Sequence, residues 1–171
     1  MTDPLARGTV AEQLVAALYQ RGQTVATSES LTAGLMSATI AGVPGASAVL
    51  RGGLVVYATD AKAAVGGVDP AVLAVDGPVA ASTARQLAVQ AARNFDADWG
   101  VSLTGVAGPS DQDGHEPGTV FCAIARHRAL SDEVFPAHHW QLGGDRWEIR
   151  LTSVAYALQE LLTMVRETKE A

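Results

Sequence analysis

Residues 24–35 read TVATSESLTAGL. The first four carry the β-branched character of a short strand. A helical period follows over about 31–41, with Leu31, Leu35, Ala38 and Thr39 facing inward. Ser28, Glu29 and Ser30 fall at the junction. A strand that runs directly into a helix is the unit from which open α/β sheets are built.

The alternation continues on both sides of this junction. Upstream, Thr9 caps a helix with Glu12 as reciprocal partner; Val10, Leu14, Ala17 and Leu18 share a face, and Gly22 ends it. Downstream come a turn at 42–45, a helical half-turn at 46–50, a Val-rich strand at 53–58 and a short helix at 60–65. Residues 66–78 read as irregular. The period over 79–94 predicts a helix burying Val79, Ala80, Thr83, Ala84, Leu87 and Ala91, and 99–104 is the next strand. The loop GVAGPSDQDGHEPG separates it from strands at 119–125 and 131–139. A last helix starts at the cap Asp145, with Glu148 completing a capping box. Its stripe is Trp147, Leu151, Val154, Leu158, Leu161 and Val165.

Together these predict a three-layer α/β/α sandwich with a mixed, mainly parallel sheet and one antiparallel pair. The 171 residues make one domain, 1–171, with an ordered core of about 9–166. A loose leader precedes it, and a charged tail that contains Lys169 frays after it.

The composition narrows the function. Hydrophobic residues are 48% and charged residues 18%, which excludes a disordered chain. The net charge of -6 lacks the basic face of a nucleic-acid binder. No stretch is long and apolar enough to predict a membrane span, and no signal peptide is read at the start. Cys122 is the single cysteine, in the strand-like VFCAIA, so a reducing cytoplasm is expected.

Four places could carry chemistry. Ser30 lies between strand end and helix start, where unpaired amides can hold an oxyanion; a plain N-cap serine is the alternative. Glu29 beside it is a cap carboxylate, a substrate-binding group, or neither. Lys62 is one of two lysines in the chain. It is either a solvated helix residue or an amine whose lowered pKa lets it take a serine proton. Tyr57 either relays that proton or covers the sheet end. SLTGVAGP, residues 102–109, delivers Thr104 and then a glycine loop beyond a strand end, where α/β sheets place ligands. Arg146 and Arg150 stand four apart at a helix start, fit for a phosphate or for plain surface pairing. No P-loop, dinucleotide fingerprint, HExxH or GxSxG elbow is present. No metal and no cofactor are expected.

Taken together, TSESLTAGL, GGLVVYATDAKAAVGGV, SLTGVAGPSDQDGHEPGTV and GDRWEIRLTSVAYAL resemble, in order and spacing, the C-terminal domain of the competence- and damage-inducible protein CinA, over about 10–165. That family includes free-standing nicotinamide mononucleotide deamidases. The resemblance implies a metal-independent serine amidohydrolase that converts nicotinamide mononucleotide to nicotinate mononucleotide and ammonia. By it, Ser30 is the nucleophile and Lys62 the base, helped by Tyr57, and the amides near Leu31 to Ala33, with Thr104, hold the oxyanion. Substrate contacts are expected from Glu29, Leu31, Thr32, Ala33, Gly34, Thr59, Gly105, Gly108, Arg146 and Arg150. The implied partners are a small nucleotide substrate and further copies in a homo-oligomer, with neither nucleic acid nor membrane. The chain reads ESLTAG and YATDAK where the family commonly has ESCTGG and YSNEAK, and Ala80 replaces a usual serine. The alternatives are an amidohydrolase with another substrate and a catalytically inactive nucleotide-binding, competence-linked protein.

Overall fold

The computed structural model describes residues 3–127 and 131–168. The leader's first two residues and the tail with Lys169 lie outside them. The elements are α1 (Ala11–Gln20), β1 (Val25–Glu29), α2 (Leu35–Ala41), a 3-10 turn (Ala46–Ala48), β2 (Leu50–Val55), α3 (Thr59–Ala64), α4 (Pro70–Val75), α5 (Ala81–Phe95), β3 (Trp99–Gly105), β4 (Thr119–Arg126), β5 (Glu133–Val134), β6 (His138–Gln141) and α6 (Arg146–Glu167).

The sheet is mixed and has helices on both faces, as the alternation predicts. Its order is β2-β1-β3-β4, with β5 and β6 both pairing β4. β1 pairs in parallel with β2 and β3. The antiparallel side is larger than the single pair expected: β4 runs against β3, β5 and β6. Among the described residues no helix separates β4 from its neighbours in sequence, and antiparallel pairing needs no helical crossover.

One face carries α1, α2 and α6 over the main core, which includes Leu14, Leu18, Met36, Ile40, Trp99, Leu103, Leu158 and Leu161. The other face carries α5, whose Ala84 and Ala88 pack on Ala123 and Ala125. This approach is close because β3 has glycine at position 100. A Cβ there would collide with the Ala88 carbonyl. α3 and α4 close the end of this layer around Val56, Val68 and Leu87.

Several local expectations shift. Thr9 lies two residues before α1, its hydroxyl accepting from the Ala11 amide at 3.2 Å. The buried face of α1 is Ala11, Leu14, Val15 and Leu18. The leader is docked, not loose: Ala6 is buried and the Asp3 amide donates to Gly42 O at 3.2 Å. Residues 66–78 contain α4, capped by Asp69 with Pro70 at its first position. The capping box of Asp145 and Glu148 forms as expected. However, Trp147 and Leu151 are exposed, and Ile149, Ser153 and Ala157 take the inward places. Among the described residues no helix is long and apolar enough to cross a membrane.

Candidate active site

The parallel strands end side by side, and the chain leaves β1 for β2 on one side and reaches β3 on the other. Open α/β sheets open a crevice at such a point. Ser30 stands there, directly after β1. Its amide donates to Leu103 O at 2.8 Å, which extends the β1–β3 ladder by one residue and fixes the serine backbone.

The expected helix does not begin at Leu31. Ala33 (φ 50°) and Gly34 (φ 92°) are left-handed, so 31–34 form a turn and α2 starts at Leu35. The Glu29 side chain explains the delay. Its Oε2 accepts from the Gly34 and Met36 amides, both at 3.0 Å, and its Oε1 from the Ser37 amide at 2.9 Å and the Ser37 hydroxyl at 2.7 Å. A carboxylate is favoured at unpaired helix amides. Glu29 is 1% exposed and fully engaged there. It therefore caps α2, and the substrate-binding alternative for it is set aside.

Lys62 comes from α3, thirty-two positions further along. Its Nζ lies 3.0 Å from Ser30 Oγ. It also donates to Val56 O at 3.1 Å and to Tyr57 O at 3.5 Å. Lys62 is 2% exposed and Ser30 6%. Burial holds the Lys62 ammonium below the ordinary lysine value, and the negative charge of Asp113 pulls it partly back. A neutral amine has two N–H groups and one lone pair. With the two carbonyls taking the N–H groups, the lone pair is left for the serine hydroxyl.

These two side chains share one pocket with Leu31, Tyr57, Gly105, Gly108 and Arg146. It is a small pocket of about 70 Å³. Val106 and Ala107, from the SLTGVAGP stretch, also line it, and so do Val79, Ser110 and Gln112, which carry no such signal of their own in the sequence. The length of the glycine-rich loop after Gly105 was the available signal, since a long loop at a strand end folds over the crevice.

The remaining expected site residues sit elsewhere or act otherwise. Thr104 is buried and its hydroxyl donates to Pro78 O at 2.7 Å, so its one proton braces the segment before α5. The Tyr57 hydroxyl faces outward: the side chain is 54% exposed and accepts from Arg146 Nη2 at 2.7 Å. Only its backbone carbonyl reaches Lys62. Arg146 also donates through Nη1 to Gly108 O at 2.6 Å, bridging the pocket mouth. Arg150 instead grips the carbonyls of Leu31 and Thr32 at 3.0 and 3.1 Å. Thr32, Ala33, Gly34 and Thr59 are not pocket-lining residues. Ala33 is exposed, so its extra methyl leaves the pocket unobstructed. Cys122 is buried in β4 and burial pushes its thiol up, which makes it inert.

The pattern of the CinA C-terminal domain matches residues 7–165. This chain belongs to the CinA C-terminal domain family. A relative from Geobacillus kaustophilus, of the competence-damage inducible group, is 41% identical over 149 residues, covering 86% of this chain and 35% of that protein. A CinA-like protein from Frankia casuarinae is 38% identical over 148 residues, covering 86% and 33%. The chain thus spans about a third of the length of these curated relatives. Among solved structures, the competence/damage inducible protein CihA from Agrobacterium tumefaciens superposes with a TM-score of 0.86 at 31% identity, covering 98% of this chain and 99% of that one. A CinA superfamily protein from Enterobacter cloacae gives a TM-score of 0.82 at 30% identity, with 92% of each covered. Ala80, where the resemblance leads one to expect a serine, is the N-cap of α5. With Ala80 there, that helix has no side-chain cap.

Proposed function

We propose that this CinA-family domain is a serine amidohydrolase that deamidates nicotinamide mononucleotide, a small nucleotide partner, in the cytoplasm. The observation that carries the reading is the buried pair of Ser30 Oγ and Lys62 Nζ at 3.0 Å. An uncharged amine at that distance is a competent base for a hydroxyl.

The chemistry closes with these residues. Ser30 Oγ forms a bond to the amide carbon while its proton passes to Lys62. The oxyanion needs N–H donors. Among the described residues, the amides of Leu31, Ala107 and Gly108, all on pocket-lining residues, donate to no protein acceptor. The C–N bond then breaks and the Lys62 proton leaves with ammonia. Water attacks the ester, Lys62 takes its proton, and Ser30 leaves as the hydroxyl. Arg146 is the candidate phosphate anchor, because it is the cation at the pocket mouth beside Lys62. Of the departures at Leu31, Ala33, Ala58, Thr59 and Ala80, only Leu31 lines the pocket. Leu31 is also the observation that favours a second reading, an amidohydrolase for another small amide, since it changes the wall beside the nucleophile.

The test is ammonia release from nicotinamide mononucleotide by wild type, Ser30→Ala and Lys62→Met. Wild type is expected to release ammonia. Each variant should lose at least about 10²-fold, the contribution of a general base. Release that is unchanged in both variants rejects the chemistry. A silent wild type that hydrolyses other pyridine or aliphatic amides selects the second reading.

A further inference from the structure

The turn after Ser30 is held from two sides by opposite charges. Glu29 takes the amides at its far end, beginning with Gly34. Arg150, from α6, takes the carbonyls at its near end: Nε donates to Leu31 O at 3.0 Å and Nη2 to Thr32 O at 3.1 Å. The guanidinium is itself seated over the Trp147 ring, 5.4 Å from its centroid. The turn needs such restraint, because Ala33 is left-handed at φ 50°, a conformation costly for a residue with a Cβ.

We infer that Arg150 is a positioning residue for oxyanion stabilisation, acting through the peptide groups that follow the nucleophile. In a trans peptide the C=O and N–H point to opposite sides. Fixing Thr32 C=O on the guanidinium turns the Ala33 N–H of the same peptide away from α6, toward the Ser30 carbonyl. The Ser30 carbonyl accepts from the Ala33 amide at 3.0 Å, which turns the Leu31 N–H the other way. Among the described residues the Leu31 amide, on a pocket-lining residue, has no protein acceptor. Two consecutive carbonyls suit a planar fork and not an ammonium, which explains an arginine here. The same bonds remove Arg150 from the phosphate-binding role expected from sequence, and it is absent from the pocket wall. The inference rests on Ser30 as the nucleophile.

Its test uses the full chain as wild type, Arg150→Lys and Arg150→Ala. Two rates are measured: kcat and KM for ammonia release from nicotinamide mononucleotide, and phosphonylation of Ser30 by a fluorophosphonate, followed by mass spectrometry. The phosphoryl oxygen of that probe stands where the oxyanion forms. In Arg150→Lys, kcat and the phosphonylation rate should each fall about 10²-fold, the loss typical of one oxyanion donor, with KM within about threefold. Ethylguanidinium should restore part of both rates in Arg150→Ala. Unchanged rates in a folded Arg150→Lys overturn the inference. So does a raised KM with unchanged kcat, which marks a substrate-binding arginine. If the variants do not fold, wild type decides. Phosphonylation should move the amide proton resonance of Leu31 downfield, and an unmoved resonance overturns the inference. If wild type releases no ammonia but reacts with the probe, the deamidase reading falls and phosphonylation alone judges Arg150. A Ser30 inert to both overturns both.

Discussion

Replacing Glu29 by glutamine puts an NH2 group where every neighbour is a donor. Oε2 faces the Gly34 and Met36 amides, and neither can reverse. Oε1 faces the Ser37 amide and the hydroxyls of Ser37 and Thr27. The hydroxyls can turn to present lone pairs, so the NH2 settles on that side and confronts the Ser37 N–H. One buried hydrogen bond to a charged acceptor is then lost, worth about 1.5–3 kcal/mol. The carboxylate's attraction to the α2 amides goes as well, worth about 0.3–1 kcal/mol. The sum is about 3 kcal/mol. At roughly 2–4 °C per kcal/mol for a chain of this size, Tm should drop by about 9 °C. Urea unfolding and calorimetry of wild type and Glu29→Gln measure both quantities. A variant within about 1 kcal/mol of wild type would refute the view that this carboxylate builds the turn behind Ser30.

Three further outcomes follow from the structure. Activity should rise with pH as Lys62 loses its proton, and Asp113→Asn should move that rise to lower pH, because Asp113 is the charge that opposes deprotonation; a pH–rate profile that stays in place in Asp113→Asn contradicts this. Lys62 also contributes to stability: its folded pKa lies below the unfolded value, so between the two the unfolded chain binds more protons and stability rises with pH. Below the folded pKa the cost of burying the charge is present in full, and Lys62→Met should flatten the dependence in urea titrations across that window. Ala80→Ser should stabilise the domain by about 1 kcal/mol, since α5 has no side-chain cap at that N-cap position; no change in the urea midpoint would show that the α5 terminus is satisfied in another way.

Local signals were read well where the responsible atoms are close in sequence. The capping box of α6 joins Asp145 to Glu148, three residues apart, and it formed as expected. The Asp69-Pro70 start of α4 is equally local, and the glycines at 66, 67 and 77 mask it. The inward stripe of α6 misled at its start. Trp147 and Leu151 keep helical spacing with the stripe, but the buried face is turned onto Ile149, Ser153 and Ala157, and Trp147 carries the Arg150 guanidinium instead.

What the sequence determined by itself was the alternation of elements, the family, and the residue types able to do the chemistry: a hydroxyl at a strand end, a rare lysine, a glycine-rich loop. Hydrophobic period and turn chemistry are short-range properties, so they survive in one dimension. Only the tertiary structure decided what each side chain spends its hydrogen bonds on. Thr104 went to Pro78, the Tyr57 hydroxyl to Arg146, Glu29 to the start of α2, and Arg150 to two carbonyls more than a hundred positions away. A donor's proton and a carboxylate's lone pairs are committed to whichever partners packing brings within about 3 Å. That proximity arises from the folded chain and has no signature in the spacing of residues.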